Sequence, residues 1–543
     1  MHVPVAPDDK HSTSMNANPQ KVFIYDTTLR DGAQGEGISF SDTGKVRFAR
    51  MLDEFGIDYI EGGFAGSNPR DRKFFEDIRK ERLGHARVTA FGSTRRVDVD
   101  AKDDPQLAGL LAAETEWVTV YGKTWLLHVK DVLRTTGPFN VQMIADTVGF
   151  LRAAGRQVFF DAEHFFDGYK DDPAYALSAL GAAVREGAAG VVLCDTNGGS
   201  LPHEVFEITR AVCAAFPGVE VGIHTHNDGG LAVADTLEAV RAGARQVQGS
   251  MNGYGERIGN ANLVSILPAL ELKMGFRCVG AEKLKKLREV AVVTDDLANQ
   301  RSDPRQPYVG RSAFSHKAGA HVNAIQKNPQ TFEHVAPEAV GNQRHVLVSE
   351  LSGAANVQMK AAELGTDLTT LDKQKVREIL EEVKRRENKG YSYESADGSF
   401  KILLQKVLNT HTPFFELEGF RVIVEKRGSN EPCISEATVK VKVRGETELT
   451  AGEGSGPVDA LNAALRQALT RFYPEIEQIL LTDYRVRILD PQEATRAVTR
   501  VLIESGDGVR QWGTVGVSEN IIEASWQALL DSVEYKLYED RSH

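Results

Sequence analysis

The stretch VEVGIHTHNDGGLAVADTLEAVRA, residues 219–242, is one complete unit of the pattern that decides the fold of this chain. It opens with an apolar run, Val219–His226, which predicts a β-strand. A turn with two glycines follows, and Gly230–Ala242 then repeats its apolar residues with the period of a helix. The unit therefore predicts a strand, a turn and a helix, with two histidines where the strand ends.

The same unit recurs along the chain from Lys21 to residue 272. The eight predicted strands are Val22–Thr28, Tyr59–Phe64, Val88–Ser93, Trp117–Gly122, Val158–Glu163, Gly190–Thr196, Val219–His226 and Gln246–Asn252. Helical segments follow the strands, and eight strand–helix pairs within about 250 residues are typical of a (β/α)8 TIM barrel, an α/β fold. An open, doubly wound sheet is the alternative, but it normally has fewer strands. In a barrel, the loops at the carboxyl ends of the strands hold the chemistry.

The segments on either side of this barrel have a different composition. Residues 1–20 are rich in Pro, Asp, Asn and Ser, and we expect them to form a disordered tail. Residues 273–413 lack the strand rhythm and predict a helical connector, with helical patterns at Ala281–Asn299 and Leu371–Glu387.

The last part of the chain, residues 414–543, predicts a small α+β module. Apolar and polar residues alternate at Ala437–Val443 and again at Tyr484–Ile488, which is the period of a strand with one solvated face. The segment GEGSGPVDALNAAL at 452–465 is echoed by GTVGVSENIIEASWQAL at 513–529. This repeat predicts a duplicated strand-strand-helix unit.

The composition excludes several classes of function. The chain has 543 residues, with 64 basic and 76 acidic side chains and a net charge of −12, and its length predicts two or three domains. Broad binding to nucleic acid or to an anionic membrane relies on clustered Lys and Arg, so we expect neither as a partner. No run approaches the roughly 20 apolar residues that span a bilayer. The four cysteines form no CxxC pair, which indicates a reducing cytoplasm and excludes a cysteine-built zinc site.

The strongest local signal for chemistry is the pair His224 and His226 at the end of the seventh predicted strand. Residues two apart on a strand point to the same face, so the two imidazoles lie side by side. Neutral imidazoles placed in this way bind a divalent metal, although one of them is alternatively a packed, hydrogen-bonded histidine.

The first predicted strand ends in DTTLRDGAQ at 26–34, which places Asp26, Arg30 and Asp31 at the same barrel mouth. One of these acids is alternatively a structural partner of Arg30. A carboxylate combined with two imidazoles is a mixed oxygen and nitrogen set that suits Mn, Co, Zn or, with more waters, Mg.

Three further strand ends supply polar side chains. The fifth and sixth supply Glu163 and Thr196, and the glycine-rich loop NGYGERIGNAN at 252–262 offers Glu256, Arg257 and Asn260. A carboxylate that is not needed for the metal is a candidate acid or base, and a hydroxyl can hold a substrate carboxylate. The alternative for Thr196 and its neighbour Asp195 is a helix cap before Pro202.

Taken together, DTTLRDGAQ, GIHTHND, NGYGERIGNAN and the duplicated module resemble the α-isopropylmalate synthase, homocitrate synthase and citramalate synthase family. The resemblance covers nearly all of residues 21–540, in order. Within the family, IEGGFAGSNPRD at 60–71 is most similar to the citramalate branch. The resemblance implies a Claisen-type acyltransferase that condenses acetyl-CoA with an α-keto acid and then hydrolyses the thioester. The citramalate branch uses pyruvate and forms (R)-citramalate on a route to isoleucine; the alternative is 2-isopropylmalate synthesis from 2-oxoisovalerate.

The resemblance also implies roles for individual residues. Asp31, His224 and His226 would bind the divalent metal, with Asn260 as a weaker fourth ligand and Glu256 orienting the site. Arg30 would hold the keto oxygen beside Asp31, Thr196 would hold the keto-acid carboxylate, and Glu163 would assist proton removal from the acetyl methyl group. The segment SHKAGAHVNAI at 315–325 resembles the catalytic helix of the family, supplied by a connector that completes the active site. By that match His321 is the general base or its relay, and His316 is the alternative.

The carboxyl-terminal module resembles the dimeric regulatory domain of the family, so we expect a homodimer inhibited by an amino acid. That inhibitor would be isoleucine for a pyruvate-using member and leucine for an isopropylmalate synthase. Two other functions compete with this interpretation. A hydroxymethylglutaryl-CoA lyase places a cysteine in the loop after the eighth strand, and residues 252–262 contain none. A catalytically silent amino-acid sensor would not need Arg30, Asp31, Glu163 and the histidines together.

Overall fold

The computed structural model describes residues 19–66, 68–346, 354–366, 368, 373–393, 395–489 and 497–542. Residues 1–18 of the predicted disordered tail lie outside the described residues. The chain divides into two compact units. The first runs to Phe314 and includes Val335–Gln343, and the second comprises Ser315–His334 and the chain from Arg344 onward. No helix in the described part of the chain is long and apolar enough to cross a membrane.

The first unit is a closed barrel of eight parallel strands that pair in sequence order. Its strands are β1 (Phe23–Asp26), β2 (Tyr59–Phe64), β3 (Arg87–Ser93), β4 (Trp117–Lys123), β5 (Gln157–Glu163), β6 (Gly190–Asp195), β7 (Glu220–Thr225) and β8 (Gln246–Gly249). Each observed strand lies within its predicted strand or extends it by one residue. The predicted TIM barrel is therefore confirmed, and the open doubly wound sheet is excluded.

Helices surround this barrel and continue into the start of the predicted connector. They are α1 (Asp42–Phe55), α2 (Pro69–Ile78), α3 (Pro105–Ala112), α4 (Leu126–Asp131), α5 (Gly137–Ala153), α6 (Phe165–Asp171), α7 (Pro173–Arg185), α8 (Pro202–Ala215), α9 (Ala232–Ala242), α10 (Leu263–Pro268), α11 (Ala281–Leu284) and α12 (Leu287–Leu297). Helix α1 shows how local sequence sets their ends. The Ser41 hydroxyl accepts a hydrogen bond from the Gly44 amide at its start, and Gly56, with φ at 98°, ends it in a left-handed conformation that glycine adopts without strain.

The register of the barrel brings several strand ends together. His224 of β7 lies opposite Gln248 of β8, and Asp26 of β1 lies opposite Gly249 of β8. All three strands are parallel, so their carboxyl ends open at the same mouth of the barrel. The loops that follow β1, β7 and β8 are thereby neighbours.

The second unit contains Ser315–His334 of the predicted connector and its residues from Arg344 onward. Its elements up to residue 407 are the short strands β9 (Ser315–His316) and β10 (His345–Val346) and the helices α13 (Gly319–Lys327), α14 (Ala354–Glu363), α15 (Lys373–Glu387) and α16 (Asp397–Val407). The structure thus divides the predicted connector: α11 and α12 belong to the barrel unit, and α13 to α16 belong to the second.

The carboxyl-terminal module consists of two antiparallel sheets, each followed by a helix. The first is β11 (Glu416–Glu425), β12 (Ile434–Val443) and β13 (Glu446–Gly454), followed by α17 (Pro457–Thr470). The second is β14 (Leu480–Ile488), β15 (Thr499–Gly506) and β16 (Gln511–Ser518), followed by α18 (Ile521–Ser542). The predicted α+β duplication is confirmed, but each unit has three strands where two were predicted. The strands that were not predicted are β11 and β15, and each lies before the repeated segment of its unit.

The two alternating patterns in this module differ in burial. Ala437, Val439, Val441 and Val443 of β12 are 0–2% exposed, as their alternation predicts. Val486 and Ile488 of β14 are 43% and 55% exposed, so the prediction of an inward apolar face is wrong for them within this chain. Alternation predicts that one face is apolar, but it does not predict what covers that face.

Candidate active site

Three buried side chains converge at the mouth of the barrel. Asp31 lies in the loop after β1, His224 lies on β7, and His226 follows directly after β7. Asp31 Oδ2 is 3.7 Å from His224 Nε2 and 3.8 Å from His226 Nε2, and the two Nε2 atoms are 3.3 Å apart. One ligand atom from each residue lies within 4.8 Å of the others. The structure therefore brings together three of the four residues predicted as metal ligands.

The electrostatics of this cluster leave its ligand atoms available to a cation. Burial lowers the pKa of His224, and burial followed by the neighbouring His224 ring lowers the pKa of His226 to about 3, so both rings are neutral. Burial alone raises the pKa of Asp31, but the positive charge of Arg30, the largest opposing contribution, outweighs it and the pKa is lowered to about 2. Asp31 Oδ1 is buried without a hydrogen-bond partner among the described residues. A buried anionic oxygen of this kind, beside two neutral imidazoles, fits a divalent cation.

Asn260, the predicted fourth ligand, lies next to the three. It forms an isolated bridge with His226, and its Nδ2 is 3.5 Å from His226 Nδ1. Its Oδ1 accepts a hydrogen bond of 2.7 Å from the Thr27 hydroxyl. The side chain is 1% exposed, so the loop after β8 delivers it to the centre of the site.

Arg30 is held at the edge of the cluster by contacts on three sides. Its Nε donates to Glu61 Oε2 at 2.5 Å and its Nη1 donates to Asp31 Oδ2 at 3.1 Å. The guanidinium carbon lies 3.8 Å from the centre of the Phe91 ring. Sequence reasoning missed Glu61, although a carboxylate inside the apolar strand YIEGGF is itself a signal of a buried ion pair. Asp31 can pair with Arg30 and also bind a metal, because Arg30 contacts only its Oδ2 atom.

Glu163 and Thr196 are anchored by neighbours that sequence reasoning did not identify. The Glu163 carboxylate forms an ion pair with Lys123 at the end of β4. The Thr196 hydroxyl accepts a hydrogen bond of 2.9 Å from the His164 amide, and its carbonyl accepts one of 2.7 Å from Arg257. The alternative of a helix cap is wrong, because the residue that precedes α8 is Leu201.

Glu256 contacts the cluster differently from its predicted role. Its backbone amide contributes to the lowered pKa of the Asp31 carboxyl, whereas its side chain is 64% exposed and lies 3.8 Å from Arg257. The role of the Glu256 carboxylate in orienting the site stays a prediction.

These residues line one cavity of about 290 Å³. Its lining includes Arg30, Asp31, Glu163, Thr196, His224, His226 and Glu256, and it adds Phe64, Phe91, Tyr121, Asp161 and Cys194. The cavity thus has a polar end with a candidate metal centre and a wall of aromatic rings.

The two candidate bases of the connector lie in the second unit. His316 is on β9, with Nε2 3.2 Å from Glu333 Oε1, and Glu333 also binds Arg344 with both oxygens at 2.5 Å. His321 is on α13, and its ring stacks on Phe332 with centroids 4.1 Å apart. His316 is therefore committed to a buried carboxylate, and the assignment of His321 as the base stays a prediction.

Known proteins match nearly the whole chain. The HMGL-like family model matches residues 21–293, the homocitrate synthase post-HMGL domain-like model matches residues 308–390, and the LeuA allosteric (dimerisation) domain model matches residues 394–537. An (R)-citramalate synthase of Geobacter sulfurreducens is 53% identical over 517 residues, which cover 95% of this chain and 98% of that protein. One of Aquifex aeolicus is 50% identical over 96% of this chain and 98% of that protein. A probable 2-isopropylmalate synthase of Methanopyrus kandleri is 31% identical over 95% of this chain and 98% of that protein. An HMGL-like barrel, a LeuA dimerisation domain and identity of about half over the full length together show that the chain belongs to the (R)-citramalate synthase family.

Proposed function

We propose that this chain condenses acetyl-CoA with pyruvate, hydrolyses the resulting thioester, and releases (R)-citramalate and CoA. The observation that carries the proposal is the buried Asp31–His224–His226 cluster in a chain that is about half identical to (R)-citramalate synthases over nearly its full length. The 2-isopropylmalate synthase alternative is less well supported, because that relative is only 31% identical over a similar span.

Asp31, His224 and His226 are the residues that would hold a divalent metal, with Asn260 as a weaker ligand. When bound, such a metal withdraws electron density from the keto group and orients the keto acid. The donor set of one carboxylate and two imidazoles suits Mn, Mg, Co or Zn. The support for this centre is the unpartnered Asp31 Oδ1 and the two neutral rings.

Arg30 supplies fixed positive charge where the alkoxide of the product develops. Glu61 and Phe91 hold the guanidinium, so little reorganisation is needed when the charge forms. Thr196 would place the carboxylate of the keto acid. Aiming preorganised donors at developing charge contributes several kcal/mol to catalysis in enzymes of known mechanism.

Glu163 would assist removal of a proton from the acetyl methyl group, and His321 would act as the general base or its relay. The Glu163 carboxylate lines the cavity and is oriented by Lys123, as a positioned base requires. The carbanion formed in this step would attack the keto carbon of pyruvate, and water would then cleave the thioester to release CoA.

A substrate comparison tests the proposal. Acetyl-CoA is offered with pyruvate, 2-oxoisovalerate or 2-oxoglutarate, and free thiol release is followed. We expect the highest kcat/KM with pyruvate. A preference for 2-oxoisovalerate would instead assign the chain to 2-isopropylmalate synthesis.

We also propose that the chain is a homodimer joined through its carboxyl-terminal module. The outer strands β11 and β14 expose a set of large apolar side chains: Leu417, Ile423, Val424, Leu480, Leu481, Val486 and Ile488. Exposed apolar surface of this extent marks an interface, and twofold dimers are the commonest assembly of identical chains. The match to a dimerisation domain supports the same proposal.

Isoleucine is the inhibitor that we propose for this module, because it is the end product of the pyruvate route. The proposed location is the cytoplasm, which four unpaired cysteines fit. Inhibition is tested by adding isoleucine or leucine to the assay with the full chain and with a chain lacking residues 414–543. Unchanged inhibition in the shortened chain would contradict the proposal.

A further inference from the structure

Gln248 is a buried polar residue that contacts His224 of the candidate metal centre. It is 0% exposed and lies on β8, where the parallel register places it beside His224 of β7. His224 Nδ1 and Gln248 Oε1 are 2.9 Å apart. The other ring nitrogen of His224, Nε2, faces Asp31 and His226.

Two acceptors hold the amide nitrogen of Gln248. Its Nε2 donates to Asp161 Oδ1 at 3.1 Å and to Gln246 Oε1 at 3.4 Å, and both partners are buried. With the nitrogen turned towards these acceptors, the amide oxygen faces His224. An amide oxygen only accepts hydrogen bonds, so His224 Nδ1 must be the donor.

The position of this proton decides whether His224 is able to bind a metal. A neutral imidazole carries one proton, and either nitrogen can hold it. With the proton on Nδ1, the Nε2 lone pair points at the other two ligands. With the proton on Nε2, His224 would instead donate towards the Asp31 carboxylate and would offer no lone pair to a cation.

We infer that Gln248, held by Asp161 and Gln246, fixes His224 in the Nδ1–H form and thereby sets the metal affinity of the site. The inference rests on the proposed metal centre. Gln248 is a positioning residue that acts through His224 and has no contact with substrate in this role. Loss of such a hydrogen-bond partner of a metal-binding histidine typically weakens metal binding about 10–100-fold.

The test uses the full chain, stripped of metal and titrated with Mn²⁺ alone, with binding read by electron paramagnetic resonance of the free ion. Gln248→Met keeps the length of the side chain without an acceptor, and Gln248→Glu keeps an acceptor for His224. Gln157→Met makes the same kind of change at the amino end of β5, where the side chain contacts Arg152. We expect Gln248→Met to weaken Mn²⁺ binding about 10–100-fold, while Gln248→Glu and Gln157→Met stay within about threefold of the unmodified chain.

Equal Mn²⁺ binding by the unmodified chain and Gln248→Met would overturn the role of Gln248. Absence of Mn²⁺ binding by the unmodified chain would overturn the metal centre itself, which is a separate result. A second measurement does not depend on the Gln248 variants. In the unmodified metal-free chain with ¹⁵N-labelled histidine, the His224 signal, assigned by its loss in His224→Ala, must show the Nδ1–H form. An Nε2–H form would also overturn the inference.

Discussion

At the scale of single residues, the most informative feature of the site is that His224 and His226 are two residues apart. This spacing puts both rings on the same face of a strand. Because they lie at the carboxyl end of that strand, both rings are at the mouth of the barrel. The structure places Asp31 against both rings, as the loop after the first strand predicts. Glu61, Lys123 and Gln248 were not predictable in the same way. Each acts on a residue of a different strand, and such pairs depend on barrel closure and register.

His224→Ala tests the metal centre at this scale. The substitution removes one of two nitrogen ligands, so we expect turnover to be lost and Mn²⁺ binding to weaken by at least the roughly 10–100-fold that is typical when a ligand loses its hydrogen-bond partner. His203→Ala on the exposed side of α8 is the control and should leave both unchanged. Circular dichroism should show a folded barrel in both variants. Full activity of His224→Ala would contradict the assignment.

At the scale of elements, the glycine-rich loop 252–262 determines where Asn260 and Glu256 lie. Gly259 has φ at 110°, and a Cβ added there would lie 1.9 Å from the carbonyl oxygen of Gly253. Only glycine tolerates this combination of backbone angle and close approach. The sequence shows that the loop is rich in glycine, but it does not reveal which glycine is indispensable. That information needs the path of the loop over the barrel mouth.

We therefore expect Gly259→Ala to displace this loop and to lower kcat/KM by at least about tenfold, because a shift of a catalytic group by about 1 Å strongly slows the reaction. Gly199→Ala, in the loop after β6, is the matched control, because a Cβ there meets no atom within 4 Å. Steady-state kinetics of the two variants make the comparison. Equal activity of both would show that the loop adapts.

Strand positions in the barrel were predictable to within three residues at each end because apolar runs bounded by turns are a strong local signal. The strand that was missed in the first carboxyl-terminal sheet was harder to predict. Strand β11, with the sequence ELEGFRVIVE, lies at a sheet edge and is largely exposed, so its apolar and polar residues do not follow one buried face. Edge strands have weaker patterns for this reason.

At the scale of the whole molecule, the two compact units differ in how well their sequence predicts which apolar residues are buried. The barrel buries its apolar residues within itself, and its sequence predicts that core. The apolar face of β14 stays exposed within one chain. The local sequence pattern does not predict which surface covers that face.

Ile488→Arg tests the proposed dimer. A charged side chain at this exposed apolar position would have to be buried on association, so we expect monomers at micromolar concentration. Val509→Arg changes a residue that is 91% exposed in the turn between β15 and β16, and it should leave the dimer intact. Sedimentation velocity distinguishes the two outcomes. If the Ile488→Arg chain is still a dimer, the interface does not include this face of β14.

The stability of the barrel should depend on Glu220 at the amino end of β7. Burial, followed by the neighbouring charge of Asp58, raises the pKa of Glu220 from 4.5 to about 7. The folded chain therefore keeps a proton that the unfolded chain releases, and stability is lost as pH rises from about 4.5 to 7. Glu220→Gln should raise the free energy of unfolding by about 1–3 kcal/mol at pH 8 and by little at pH 5.

Calorimetry of the barrel transition at the two pH values checks this expectation. Glu116→Gln, at an exposed position before β4, is the control and should show no such pH dependence. A pH-independent effect of Glu220→Gln would show that its carboxyl group ionises alike in the folded and unfolded chains.

Identification of the product tests the proposed function most directly. The metal-loaded full chain is incubated with acetyl-CoA and pyruvate, and the product is resolved by chiral chromatography while CoA is quantified. We predict (R)-citramalate and CoA in equal amounts. Turnover of acetyl-CoA only when 2-oxoisovalerate replaces pyruvate, or no turnover with either keto acid, would contradict the function proposed for this barrel.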